Sequence, residues 1–124
     1  MGWTASEEQE QRALFEWVTL HEGHVPELSL LLHVPNGGWR HPAVAAKLRA
    51  LGVKAGVPDL LLPVARGGFH GLAIEMKSPT RHGRVMPEQQ VWLDALASEG
   101  WAVSVETNWV DAANRITRYL LGEV

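Results

Sequence analysis

Two short apolar runs on either side of a glycine turn constrain the fold of this chain more than any other feature. The runs cover residues 57–64 and 71–77, and Arg66-Gly67-Gly68 lies between them. Apolar runs of this length that flank a Gly-Gly turn are typical of a β-hairpin. We therefore expect two antiparallel strands, in which the start of the first strand lies beside the end of the second.

Two helices are predicted in the part of the chain that precedes the hairpin. Thr4 or Ser6 can cap a first helix that ends near Gly23, because each is followed three residues later by Glu or Gln. Pro42 suits the first turn of a second helix, and Gly52 suits the position just beyond its end.

Strands and helices alternate over the rest of the chain. Residues 28–34 predict a strand, residues 87–100 a third helix, residues 101–105 a further strand and residues 110–121 a last helix. The resulting order is αβαββαβα. Because the third helix connects two strands as a crossover, that pair is expected to be parallel. The sequence thus predicts an α/β fold with a mixed central sheet flanked by helices, in a single domain over residues 1–124.

The charged residues are unevenly distributed along the chain. Its net charge is −3, yet eight of its eleven basic residues lie between Arg40 and Arg84. The same stretch contains only two acids, Asp59 and Glu75, and the other twelve acids lie outside it. A basic region with two isolated acids is typical of a polyanion-binding surface with an embedded cation site. The alternative is an ordinary variation of charge along the chain.

The composition also bears on the compartment and on the kind of metal site. The chain has no cysteine, no apolar run of 18 residues and no apolar secretory core near its N-terminus. A thiolate metal site and a disulfide framework are therefore excluded, so any metal would be held by oxygen or imidazole. We expect a cytoplasmic protein without a membrane span.

Three charged residues at the open end of the hairpin carry the expected chemistry. Asp59 lies near the start of the first strand, and Glu75 and Lys77 project from one face at the end of the second. Two carboxylates can bind Mg²⁺, and a lysine beside them can stabilise charge that develops on a phosphate during hydrolysis. The alternative is a structural Asp–Lys–Glu ion network at a strand end.

The same residues carry a resemblance to a known family. Pro58-Asp59 followed by Glu75-Met76-Lys77 resembles the signature of PD-(D/E)xK nucleases, and the wider pattern resembles their VRR-NUC branch. The five ordered blocks that match this pattern are Glu7-x-x-x-Gln11, Asn36-Gly37-Gly38, Gly52 to Asp59, Gly71 to Lys77 and Pro87-Glu88-Gln89. The resemblance covers nearly the whole chain, roughly Glu7 to Leu120.

The resemblance implies a restriction-endonuclease-like fold, dependence on Mg²⁺ or Mn²⁺, and DNA as the substrate. Members that consist of this domain alone are similar to Holliday-junction resolvases and are often phage-encoded homodimers. The resemblance thus implies an endonuclease that prefers branched DNA, acts as a homodimer and, if phage-encoded, works in the host cytoplasm. A non-catalytic nucleic-acid-binding module on the same fold is the alternative, and RNA is an alternative substrate.

The resemblance also implies a role for each residue of the motif. Asp59 and Glu75 correspond to metal ligands, and Met76 to the residue whose backbone carbonyl faces the metal. Lys77 corresponds to the catalytic lysine. Gln89 corresponds to a glutamine near the site on the third helix.

The chain departs from the family pattern at two places. Glu7 corresponds to the acid on the first helix that completes the outer coordination of the metal, but Glu10 shares its helix face and is an alternative. We favour Glu7. Met86 stands where a small polar residue usually precedes the Pro-Glu-Gln block, which leaves the cap of the third helix open.

Five residues are expected to contact nucleic acid. Arg40 and Lys54 are the preferred phosphate contacts, and Arg81 and Arg84, which follow Lys77, come next. For each of them the alternative is a solvated surface charge. Trp39 can stack on an unpaired base, or it can pack beneath its own loop.

Overall fold

The computed structural model of this chain describes residues 5–35, 40–78 and 84–123. In chain order its elements are α1 (Ala5–His21), a 3-10 helix (Pro26–Leu30), β1 (Leu32–His33), α2 (Pro42–Ala50), β2 (Leu60–Leu62), β3 (Leu72–Met76), α3 (Pro87–Ser98), β4 (Ala102–Glu106) and α4 (Trp109–Leu120). Apart from the 3-10 helix, this is the order that the sequence predicts.

Within the described segments, four strands form one sheet in the order β1-β2-β3-β4. β2 is antiparallel to both β1 and β3, whereas β3 and β4 are parallel and are connected by α3. The mixed central sheet and the parallel crossover predicted from the sequence are therefore confirmed.

The turn between β2 and β3 is a two-residue hairpin turn. Gly67 and Gly68 have φ values of 56° and 88°, and Arg66 and Phe69 exchange two backbone hydrogen bonds of 3.1 and 2.8 Å. Positive φ at both central positions is the type I′ geometry, whose twist matches that of the flanking strands. β2 is shorter than predicted, because Pro58 and Pro63 on either side of it have no N–H for the ladder.

The strand predicted over residues 28–34 is wrong for most of its length. Pro26–Leu30 form a 3-10 helix, and only Leu32–His33 pair with β2. Pro26 sets a helical φ at the first turn. The Ser29 hydroxyl donates a 2.7 Å hydrogen bond to the carbonyl oxygen of Pro26. A short apolar run has the same composition in both conformations, so the sequence pattern could not separate them.

The predicted cap of α1 is also partly wrong. α1 is already helical at Ala5, so Ser6 lies inside the helix and does not precede it. The other candidate cap, Thr4, lies outside the described residues. The starts of α2 at Pro42 and of α3 at Pro87 agree with the sequence.

The main core lies between the sheet and the pair α1 and α4. Leu60, Leu62, Leu72 and Ile74 occupy alternate strand positions and share one face of the sheet, where Leu14, Val18 and Ile116 cover them. Each fully buried leucine or isoleucine contributes about 1.5–3 kcal/mol. Alternation places Glu75 on the opposite face, toward α3.

α2 differs from the other helices, because none of its side chains is buried. Its first residue follows His41, whose Nδ1 accepts a 3.1 Å hydrogen bond from the backbone N–H of Ala43. The helix ends at Ala50, and Gly52 follows with a φ of 101°. None of the helices in the described segments has the length and apolar character that crossing a membrane requires.

Candidate active site

The β2–β3 ladder brings the two acids of the basic region together. Leu60 pairs with Ile74, so continuing the register by one residue places Asp59 opposite Glu75. Both side chains are buried, with exposed fractions of 4% and 2%. The Oδ2 atom of Asp59 accepts a 2.8 Å hydrogen bond from the backbone N–H of Met76. The hairpin therefore fixes one carboxylate directly against the strand that carries the other.

The backbone of Asp59 is held from the opposite side by β1. Its carbonyl oxygen accepts a 2.8 Å hydrogen bond from the N–H of Val34 and lies 3.0 Å from Nδ1 of His33. Because a carbonyl can only accept, the Nδ1 atom of His33 carries the proton. His33 is a site residue that sequence reasoning missed. A strand of only two residues gives no periodic signal that could have placed it there.

Gln89 connects the third helix to the acid and to the lysine. Its Oε1 atom accepts hydrogen bonds from Nζ of Lys77 at 2.5 Å and from the N–H of Met86 at 2.8 Å. Its Nε2 atom donates to Oε2 of Glu75 at 2.9 Å. The Gln89 amide thus supplies part of the N-terminal cap of α3, where Met86 stands in place of the small polar residue of the family pattern. The same amide orients Glu75 and Lys77.

Lys77 is fixed through its backbone as well as its side chain. Its N–H donates a 2.8 Å hydrogen bond to the carbonyl of Glu106 at the end of β4. Its Nζ atom lies 3.4 Å from Oε2 of Glu75, and both side chains are largely shielded from solvent. The structure thus brings together Asp59, Glu75, Lys77 and Gln89, as the sequence predicts.

Burial makes the paired carboxylates costly to ionise. Burial, together with the charge of Asp59, raises the pKa of Glu75 to about 8, although Lys77 opposes the rise. Burial also raises the pKa of Asp59, against the hydrogen bond from Met76. When both buried carboxylates are ionised beside one ammonium, the site carries an excess negative charge, which a bound cation would offset.

The residues present fit a divalent metal ion. Oε1 of Glu75 is buried and has no hydrogen-bond partner among the described residues. With Asp59 it offers hard oxygen donors, the type that Mg²⁺ and Mn²⁺ prefer. Among the described residues, no group of three or more His, Cys, Asp or Glu side chains is placed to hold a metal ion. An ion held by two carboxylates would keep waters and could bind substrate oxygens.

The structure gives a defined contact for one of the two candidate acids of the first helix. Oε1 of Glu10 accepts a 3.0 Å hydrogen bond from the N–H of Trp109, the first residue of α4. A carboxylate is favourable there, because the N-terminus of a helix is the positive end of its dipole. Glu10 therefore joins α1 to α4. Glu7 lies one turn earlier in α1 and is half-buried, as is Glu10, so its role near the metal stays a prediction.

The close packing of Gly56 on α3 is a second feature of the site that the sequence did not predict. Its φ is 86°, and a Cβ atom on it would lie 2.5 Å from the carbonyl oxygen of Glu88. The segment that leads to Asp59 therefore packs directly on the first turn of α3, which carries Gln89. Gly56 belongs to the block that ends in Pro58-Asp59, and this is the only signal in the sequence that points to it.

Three of the five predicted nucleic-acid contacts lie within the described residues. Lys54, after α2, and Arg84, before α3, are exposed, and Arg40, before α2, is half-buried. Arg81 and Trp39 lie outside the described residues, so the structure gives no position for either.

Comparisons with known proteins agree with this geometry. The family model described as "VRR-NUC domain" matches residues 5–107. A solved structure described as "VRR_NUC domain protein" is similar, with a TM-score of 0.81 and 28% sequence identity over 98% of this chain and 93% of that chain. The comparison with curated proteins gave no match.

Proposed function

The chain belongs to the VRR-NUC domain family, a nuclease-type family, and from this premise we propose that it is a divalent-metal-dependent deoxyribonuclease that hydrolyses phosphodiester bonds. The observation that carries the proposal is the buried pair Asp59 and Glu75 with an unpartnered Oε1 atom on Glu75. A purely structural ion network gives this oxygen no partner, whereas a bound cation would contact it and offset the negative charge of the ionised pair.

Mg²⁺ or Mn²⁺ would be held by the carboxylates of Asp59 and Glu75 and by the backbone carbonyl of Met76, with Glu7 contributing to its outer coordination. When bound, the ion would lower the pKa of a water and neutralise charge on the scissile phosphate. The side chains of the site would position the reacting groups and stabilise their charge. Asp59 is rigid, because its carboxylate and its carbonyl both accept hydrogen bonds from the sheet.

Lys77 is proposed as the catalytic lysine. Its Nζ atom is held by the Oε1 atom of Gln89, which is itself fixed by the N–H of Met86. An ammonium group placed in advance in a shielded site stabilises charge on the phosphate more strongly than a mobile one in water. Lys77 would stabilise that charge or orient the attacking water, and Gln89 is proposed as the residue that positions it.

Branched DNA is the proposed substrate, and a homodimer the proposed active form. Cutting two strands symmetrically requires two copies of a centre that holds one set of catalytic residues. The proposal includes a single domain over residues 1–124 and action in the cytoplasm, as expected from the sequence. The family resemblance adds a phage origin, in which case the chain would act in the host cytoplasm. Arg40, Lys54, Arg81, Arg84 and Trp39 are the proposed contacts to the substrate.

A cleavage assay tests the activity. Purified protein is incubated with labelled linear, flapped and four-way DNA and with an RNA of the same length, in Mg²⁺, in Mn²⁺ or in EDTA. We expect metal-dependent cleavage that is fastest on a branched DNA and absent in EDTA. Asp59→Asn, purified in parallel, controls for contaminating nucleases. Binding without cleavage under every metal condition would favour the non-catalytic module, and cleavage of RNA alone would overturn the DNA assignment.

A further inference from the structure

α2 presents a face of small side chains to solvent. Along the helix only Ala45 and Leu48 are half-buried, and every other residue is exposed. With about 3.6 residues per turn, Ala43, Ala46 and Ala50 share the face opposite to that buried pair. A helix with only methyl groups on its outer face can approach another surface more closely than one covered by long side chains.

Basic side chains lie on the two sides of this alanine face. Lys47 and Arg49 are two positions apart and so project to opposite sides of the helix, and both are exposed. No acid occurs anywhere between Glu27 and Asp59. The helix and its flanks therefore present positive charge that no neighbouring carboxylate along this stretch offsets, although the chain as a whole is acidic.

From these observations we infer that α2 is the element that docks on double-helical nucleic acid, with its alanine face over a groove and Lys47 and Arg49 on the phosphates of the two strands. The inference rests on the proposed function, because it takes the nuclease substrate as the partner. A groove bordered by a phosphate backbone on each side complements a small face bordered by a cation on each side. α2 is also joined directly to the segment through which Gly56 packs on α3 and Asp59 enters the site.

A second copy of the chain is the other occupant to consider for α2. An isologous contact would set two such helices against each other, so that their lysines and arginines faced like charges without acids between them. The exposed Val44, Leu51 and Val53 would favour such a contact through burial of apolar surface. The charges oppose it, whereas they favour a duplex, and the observations therefore support nucleic acid.

The test measures binding by fluorescence anisotropy, with a labelled duplex and a single strand of the same length, in Ca²⁺ and over a range of salt. We expect Lys47→Ala/Arg49→Ala to weaken duplex binding about tenfold and to lower the salt slope by roughly two units. Arg12→Ala is the control for the loss of a single positive charge, since Arg12 is exposed on α1 in an ion pair with Glu8. A loss of about threefold in this control, which is half the loss of the double variant on a logarithmic scale, would mean that only net charge matters and would overturn the inference.

A second variant tests the close approach without changing charge. Ala46→Leu adds bulk to the exposed face, where it does not disturb packing, and we expect it to weaken duplex binding at least threefold. Ala97→Leu on the exposed side of α3 is the matched control. Unchanged duplex affinity in both the double variant and Ala46→Leu would overturn the inference. So would a changed oligomeric state, measured by sedimentation, with unchanged affinity.

The inference and the proposed function can fail separately. Cleavage that persists without dependence on α2 would overturn the inference and leave the nuclease proposal standing. Duplex binding that depends on α2, without cleavage in any metal, would support the inference and overturn the proposed activity. A wild-type chain that binds no nucleic acid would overturn both.

Discussion

At the scale of single residues, the site is defined by how its polar atoms are paired. One carboxylate oxygen of Asp59 accepts a hydrogen bond from the N–H of Met76. One carboxylate oxygen of Glu75 accepts a hydrogen bond from the amide of Gln89 and forms an ion pair with Lys77. The other oxygen of Glu75 has no partner among the described residues. Buried carboxylate oxygens are stabilised by hydrogen bonds, by protonation or by a bound metal ion, so a cation would stabilise the ionised form of this site.

The first prediction concerns that cation. Mg²⁺ should raise the melting temperature of the wild-type chain, because the unfolded chain has no preformed site and binding then favours the folded state. Asp59→Asn should fold but lose most of this shift. Differential scanning fluorimetry across a Mg²⁺ titration measures both. An equal response in wild type and variant would remove Asp59 from the metal site.

The second prediction separates Lys77 from the carboxylates. Lys77→Ala should lower cleavage by at least about a hundredfold, as the loss of one charge-stabilising donor does, while Mg²⁺ and DNA binding stay close to wild type. Single-turnover cleavage, with anisotropy for binding, measures the two effects separately. Activity within tenfold of wild type would assign Lys77 a structural role and would favour the alternative of a structural Asp–Lys–Glu ion network.

The third prediction is a dependence of stability on pH in metal-free protein. The pKa of Glu75 is about 8 in the folded chain and about 4.5 when unperturbed. A raised folded pKa means that the folded state holds the proton longer, so stability should fall as pH rises from about 5 to 8 and then level off. The slope should approach 1.4 kcal/mol per pH unit.

Urea unfolding in EDTA between pH 5 and 8.5 measures this slope, and Glu75→Gln should flatten it because the amide does not titrate. Mg²⁺ should oppose the decline, since it binds the ionised form. If Glu75→Gln declines as steeply as wild type, other groups cause the dependence and the pKa of Glu75 is not raised.

At the scale of elements, the sequence predicts those parts whose ends are set by local residues. Gly67 and Gly68 define the hairpin turn, and Pro42 and Pro87 define the starts of two helices. Within the segment 28–34 no residue sets such an end; the 3-10 helix begins before it, at Pro26, and Leu28 is its buried residue. Apolar composition alone could not distinguish that outcome from a strand.

In the site, too, some contacts follow from local sequence signals and others depend on contacts between distant segments. The meeting of Asp59 with Glu75 and Lys77 follows from hairpin geometry, and Gln89 follows from the family resemblance. The contact of His33 with the carbonyl of Asp59 depends on pairing between distant segments. No periodicity or spacing could have predicted it, because the partners are brought together only by the assembled sheet.

The fourth prediction concerns the packing of the Asp59 segment on α3. Gly56→Ala should lower stability by about 1–3 kcal/mol and also lower cleavage, because its Cβ would displace the first turn of α3 and with it Gln89. Gly68→Ala is the matched control, since Gly68 has a φ of 88° but open space around its Cβ position. Gly68→Ala should lower the free energy of unfolding through backbone strain, and the cleavage rate of the folded protein should stay unchanged.

Urea unfolding and single-turnover cleavage at saturating Mg²⁺ distinguish the two glycines. Equal losses of cleavage in both variants would show that any strained alanine impairs the enzyme. The close approach of Gly56 to Glu88 would then have no particular role in the site.

At the scale of the whole molecule, an acidic chain is proposed to bind a polyanion. This is possible because charge is segregated, with the basic residues concentrated in the stretch that surrounds the two site acids. In this proposal, the acidic flanks would keep the rest of the surface from binding DNA indiscriminately, and the basic region would direct the phosphate backbone to the proposed metal centre. Phosphate contacts of this kind position a substrate but do not read its sequence.

The last prediction follows from that segregation. Arg40→Ala and Lys54→Ala should each weaken binding to unrelated DNA sequences by equal factors and lower the salt slope by roughly one unit, because each lost phosphate contact releases fewer counterions. Anisotropy in Ca²⁺ over a salt series, with duplexes of different sequence, measures this apart from cleavage. A variant that binds one sequence normally and another poorly would show that its side chain reads base edges. Unchanged slopes in both would place the phosphate track elsewhere, with Arg84 the next residue to test.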